Sequence, residues 1–125
     1  MSIIRYGKIL ISLLLLAHAT MAASIHNGEW WGILGERVPE TCTDEEVGNV
    51  YDLLITVSDD KISGGIYNGD IQLTKLSGSL DSEGGLILIG KLNGRPLKLA
   101  GKFDSLIARG TWVSNDQGEW CAMHD

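Results

Sequence analysis

The feature that most constrains the fold is a glycine that recurs in the middle of apolar, strand-length segments. Each of these glycines has an apolar residue two positions before it and another two positions after it: Gly32, Gly64, Gly78, Gly90, Gly101 and Gly110. Because side chains alternate between the two faces of a strand, the glycine and its apolar neighbours share one face, which we assign to the core. Glycine weakens a strand interior and usually marks a bend or a close approach. The repeat therefore predicts strands with a strong common curvature.

Turn residues separate the apolar segments, and the clearest are the pairs Asn68-Gly69 and Asn93-Gly94. Asn-Gly is the strongest short hairpin signal, because both residues accept the positive φ of a type I′ turn. The turns divide the chain into the predicted strands Glu29–Leu34, Tyr51–Val57, Lys61–Tyr67, Gln72–Leu80, Leu86–Leu92, Leu97–Phe103, Ile107–Val113 and Gly118–Met123. Since all connections but the first are short, neighbours in the chain should pair antiparallel, as an up-and-down meander.

Strong curvature in an eight-stranded meander predicts an all-β domain that closes into a small barrel. The inward glycines would leave room for large aromatic side chains, and we place in the core Trp30, Phe103, Trp112 and Trp120. The first and last strands both open with Gly-Glu-Trp, which is compatible with their pairing to close the barrel. The alternative is a β-sandwich. Against its immunoglobulin-like form, Cys42 lies in a loop rather than in a core strand.

This pattern of glycine-centred hairpins, with a tryptophan near each end of the domain, resembles that of small exported bacterial β-barrel proteins. Avidin-like and lipocalin-like barrels share such spacing. The resemblance implies the fold, and it implies no ligand, because the ligand-contact motifs of those two families have no residue-by-residue counterpart in this sequence.

The N-terminal segment has the three parts of a secretory signal peptide. The basic residues Arg5 and Lys8 precede an apolar run, Ile9–Ala17, and small residues then lead to Ala22. The run is too short to span a bilayer, which needs about 20 apolar residues. We therefore predict a signal peptide over residues 1–22, a single all-β domain over residues 23–125, and no membrane span after cleavage. The predicted location is periplasmic or extracellular.

The two cysteines of the chain, Cys42 and Cys121, are predicted to form a disulfide, since an even number of cysteines in an exported chain favours pairing. Cys121 follows Trp120, so the two side chains should point to opposite faces of the last strand. With Trp120 inside the barrel, the sulfur of Cys121 would lie outside. The long first loop, which carries Cys42, would then rest on the outer wall.

Charge argues against nucleic acid as a partner. Residues 23–125 contain eight basic and sixteen acidic residues, which gives a formal net charge of −8. No run of consecutive basic residues offsets this negative charge. A surface so negative repels phosphate backbones. Anionic lipid is a poor candidate for the same reason. We expect a monomer.

No catalytic motif stands out in the sequence, which favours a non-enzymatic role and leaves an enzyme as the alternative; we expect no cofactor. The domain has two histidines, His26 and His124, which lie close to its two ends. In a closed meander both would reach the same rim, where they are weak candidates for a metal site. Asp125 would lie close by, but chain ends usually fray, so no metal is assigned.

The long first connection, Gly35–Asn49, is the best candidate for a functional surface, because loops of this length in compact domains usually carry function. The residues expected to meet a partner are Arg37, Val38, Pro39 and Glu40. The predicted function is non-enzymatic binding in the cell envelope, of a small ligand or of a protein. A hydrolase acting on an envelope polymer and a structural envelope component are the alternatives. A hollow interior would favour the small ligand and a packed interior the protein.

Overall fold

The computed structural model describes residues 25–43 and 50–125 and shows one closed β-barrel of eight antiparallel strands. The strands are β1 Gly28–Gly35, β2 Val50–Ser58, β3 Lys61–Asn68, β4 Ile71–Leu80, β5 Gly85–Leu92, β6 Arg95–Asp104, β7 Ile107–Val113 and β8 Gln117–His124. The predicted signal peptide and residues 44–49 of the first loop lie outside the described residues. Within the described ranges there is no apolar helix of membrane-spanning length.

Each strand pairs with the next one in the chain, and β1 also pairs with β8, from Trp30 opposite His124 to Gly35 opposite Glu119. The all-β class, the meander and the closure predicted from the sequence are confirmed, and the β-sandwich is excluded. The barrel has two ends. We call the end where β1 begins and β8 ends the termini pole, and the end where β1 leads through the first loop to β2 the loop pole.

The recurring glycines occupy inward positions that no larger residue can take. At Gly32, Gly78 and Gly110 an added Cβ would overlap a backbone carbonyl oxygen of the adjacent strand. Gly110 also lies beneath the indole of Trp120, whose Nε1 donates a hydrogen bond to the carbonyl oxygen of Ala100 at 3.2 Å. The glycines therefore permit both the tight coiling of the strands and the placement of an indole across them, as the sequence pattern predicted.

Side chains fill the interior of the barrel, as expected for eight strands. The buried set comprises Trp30, Leu34, Leu53, Ile55, Val57, Ile62, Ile66, Leu76, Leu86, Leu88, Leu97, Leu99, Phe103, Ala108, Trp120 and Ala122. Trp112 is half-buried and packs against this core from its loop-pole end. Trp30, Phe103 and Trp120 thus lie inside the core, whereas Trp112 closes one end of it.

The disulfide lies outside the barrel, as the alternation of residues in β8 predicted. Cys42 and Cys121 are bonded, with 5.8 Å between their Cα atoms. Trp120 belongs to the inner core, whereas Cys121 forms a separate outer cluster with Cys42 and Ile33. Because β1 and β8 are neighbours, the first loop can leave β1 and cover their outer seam.

Candidate functional site

The first half of the long loop is held firmly against the barrel. Besides the disulfide, the Glu119 carboxylate on β8 accepts a hydrogen bond from the Val38 backbone N–H at 3.0 Å. The backbone N–H of Cys42 donates to the carbonyl oxygen of Pro39, also at 3.0 Å, and closes a tight turn. Val38 packs against the outer disulfide cluster. This part of the loop is therefore a fixed surface.

The residues predicted to meet a partner take different positions on that surface. Arg37 and Glu40 are exposed, whereas Val38 and Pro39 are half-buried. Val38 holds the loop onto the wall and is less free to meet a partner than the sequence suggested. Arg37 instead lines a cleft at the loop pole of the barrel.

That cleft, which we call the loop-pole mouth, has a volume of about 910 Å³ and lies where β1 and β7 end and β2 and β8 begin. Tyr51 and Trp112 supply its aromatic surface. The indole Nε1 of Trp112 donates to the carbonyl oxygen of Gly35 at 2.7 Å, across the intervening strand β8. Gly118 makes this possible, because an added Cβ there would collide with both the indole and Gly35. The sequence thus fixes Trp112 across the mouth rather than deep in the core.

The mouth is acidic. Three carboxylates line it, those of Glu36, Asp116 and Glu119, against one cation, Arg37. Carboxylates and the aromatic residues Tyr51 and Trp112 in one cleft form a site suited to a cationic side chain, since aromatic faces and anions both attract positive charge. The arrangement can bind and orient such a group.

Sequence reasoning missed Glu36, Tyr51, Asp116 and Glu119 as members of one site. These residues could have been found by combining the inward and outward alternation along each strand with the up-and-down order of the strands, which shows which strand ends lie at the same pole. Tyr51 is the first inward residue of β2, and Trp112 is the last inward residue of β7, so both side chains reach the loop pole. Asp116 lies in the turn between β7 and β8 at the same pole.

The two histidines lie at the same end of the barrel, the termini pole, as the closed meander predicted, and each ring packs against an aromatic residue of the core. The ring of His26 stacks on Phe103 with 4.9 Å between ring centroids, and the ring of His124 lies 4.7 Å from Trp30. Burial, and after it the nearby His124, lowers the pKa of His26 below its ordinary value. Within residues 25–43 and 50–125 no group of three His, Cys, Asp or Glu side chains is placed to hold a metal ion. The two imidazole rings pack on the core aromatic residues at this end of the barrel.

Two features bear on acid–base or nucleophilic chemistry. Both cysteines are consumed by the disulfide. The exposed carboxyl group of Asp81 accepts hydrogen bonds from the backbone N–H groups of Gly85 and Glu83, which lower its pKa. A general acid needs a raised pKa, so this carboxyl group is tuned in the opposite direction. Its role is to close the turn between β4 and β5.

Comparisons with protein-family models, with characterised proteins and with solved structures found no match for this chain.

Proposed function

We propose that this is a non-enzymatic binding protein that works outside the cytoplasm and recognises a protein partner at the loop-pole mouth. A basic side chain of the partner would enter the mouth between Tyr51 and Trp112. The observation that carries the proposal is the combination of these two aromatic residues with three carboxylates in one cleft.

The packed interior supports a protein partner over a small ligand held inside the barrel. Small-molecule sites are concave and bury most of the ligand. Here the barrel interior is occupied by the protein's own side chains, and the space for recognition is the cleft at the loop pole.

The fixed loop supports the same conclusion. The disulfide and the hydrogen bond between Val38 and Glu119 hold the loop in place before any partner arrives. Such preorganisation reduces the entropy lost on binding. Arg37 lines the mouth, and Glu40 is exposed on the same loop.

The disulfide and the composition of the N-terminal segment support the proposed location. A disulfide is typical of proteins in oxidising compartments, and the N-terminal segment has the composition of a signal peptide. We place the protein in the periplasm or outside the cell.

Photo-cross-linking in source cells tests the proposal. A benzophenone amino acid replaces Glu40, which is exposed on the fixed loop three residues after Arg37 of the mouth. The matched control position is Ser82, which is exposed in a turn at the termini pole. We expect a discrete polypeptide adduct from position 40, lost when Glu36→Lys and Asp116→Lys reverse the charge of the mouth. Adducts from position 82 alone, or adducts from position 40 that persist after the charge reversal, would contradict the proposal.

A further inference from the structure

The barrel gathers most of its positive charge on one outer wall. Of the eight basic residues in residues 23–125, five are exposed on the outer face of β4–β7: Lys75, Lys91, Lys98, Lys102 and Arg109. Asp104, at the last position of β6, is the only acidic residue in these four strands. The negative charge of the domain therefore lies on its other strands, its turns and its first loop.

The cations of this basic wall face one another or apolar residues across the ladders. Lys98 lies opposite Ile89 on one side and Val113 on the other. Lys102 lies directly opposite Arg109. Like charges in directly opposed positions destabilise a sheet. The Asp81 carboxylate interacts with Lys102, and an external anion would further offset the repulsion along the wall.

A shallow apolar groove lies within the basic wall. Its volume is about 720 Å³, and its lining includes Ile89 and Val113 together with Lys75, Lys91 and Lys98. Ile89 is 55% exposed and Val113 is 54% exposed, which is high for residues of this size in strands. Apolar side chains ringed by lysines match a ligand that combines negative charge with hydrocarbon.

The composition of the wall favours a lipid surface over a macromolecular partner. Protein interfaces are enriched in aromatic residues and arginine and depleted in lysine. Single-stranded nucleic acid binds on stacking aromatic residues. This wall has four lysines, one arginine and no aromatic side chain among the outward positions of β4–β7.

We propose that the outer wall of β4–β7 docks on a membrane surface that contains anionic phospholipid. The lysines contact lipid phosphates, and Ile89 and Val113 enter the boundary between headgroups and acyl chains. The acidic mouth adjoins this wall at Val113, which lines both clefts, so docking depends on the lysines around the groove and not on the net charge. Charges farther away than the Debye length of about 8 Å are largely screened at physiological ionic strength. Net charge averages over an uneven distribution, so it misses a basic wall of this kind.

Co-sedimentation with lipid vesicles tests the docking surface. The full chain, expressed and processed in its own export pathway, is mixed with vesicles of equimolar phosphatidylglycerol and phosphatidylcholine, or of phosphatidylcholine alone. We expect binding to the anionic vesicles only, and weaker binding as salt is raised. Lys98→Glu should lower the partition coefficient roughly 10- to 30-fold, and Ile89→Ser should lower it about 5-fold.

Lys61→Glu is the matched control, because Lys61 is exposed on β3 at the termini pole and its reversal changes the net charge equally. Circular dichroism of each variant verifies that the barrel is folded. Equal binding to both vesicle types, equal losses for Lys98→Glu and Lys61→Glu, or no vesicle binding by the unaltered protein would overturn the proposal. So would a protein adduct, without vesicle binding, from a cross-linker at position 89.

Discussion

Breaking the disulfide should loosen the first loop and leave the barrel standing. Cys42 and Cys121 are separated by 79 positions, and their bond lies in an outer cluster apart from the inner core. Closing a loop of this length restricts the unfolded chain and stabilises the native state by about 4 kcal/mol in the chain-entropy model. Domains of this size are typically stable by about 5–15 kcal/mol. We therefore expect a less stable protein that is still folded at room temperature.

The assay is far-UV circular dichroism with thermal melting, on the protein with and without reductant and on the double variant Cys42→Ala/Cys121→Ala. A loss of about 4 kcal/mol lowers the melting temperature by roughly 15–30 °C in a domain of about 100 residues. The double variant is also the control, because reductant should not change its melting curve. Complete loss of the β signal at room temperature would refute the reasoning, since it would show that the bond holds the barrel itself.

Two further predictions test the packing of the core and of the termini pole. In a denaturant titration, Gly110→Ala should lower the free energy of unfolding by about 1–3 kcal/mol, because the added Cβ would overlap the carbonyl oxygen of Ala100. The control Thr111→Ala, at an outward position, should lower it much less. Equal losses would contradict the argument that only glycine fits at position 110. The lowered pKa of His26 means that the unfolded chain binds its proton more readily, so the stability present above about pH 6.5 should fall as the pH drops below that value. The variant His26→Phe, which retains an aromatic ring against Phe103, should lack that part of the pH dependence of the melting temperature, and an unchanged profile would count against a depressed pKa.

The architecture was predictable from the sequence because a meander is built from local signals. Alternating apolar residues around Gly64 or Gly78 identify the inward face, and Asn93-Gly94 gives the hairpin turn and its direction. Each strand pairs with its neighbour in the chain, so the order of the strands requires no long-range inference. The position of the disulfide outside the barrel was also predictable, because Trp120 and Cys121 are adjacent in β8 and therefore point to opposite faces of the strand.

The candidate sites were less predictable because they depend on registers across several strands. Tyr51 and Trp112 are 61 positions apart in the chain. They line the same cleft only because β1 pairs with β8, which brings β2 and β7 to the same side of the closed barrel. The opposition of Lys102 and Arg109 depends on the length of the turn between β6 and β7. Net charge, which is a sum over the sequence, contains no information about such placement. The orientation of Val38 toward the disulfide likewise required the path of the loop.

The central claim, that the loop-pole mouth recognises a basic side chain, is tested most directly by nuclear magnetic resonance. The four tryptophan indole N–H signals report four places: Trp112 in the mouth, Trp120 in the core, Trp30 beside the histidines and Trp31 on the outer wall. We predict that titration with N-acetyl-arginine amide shifts the Trp112 indole signal saturably, leaves that of Trp120 in place, and has no effect at Trp112 after Glu36→Lys and Asp116→Lys. A saturable shift at Trp30 or Trp31 with none at Trp112, or an identical titration of the charge-reversed variant, would contradict the account.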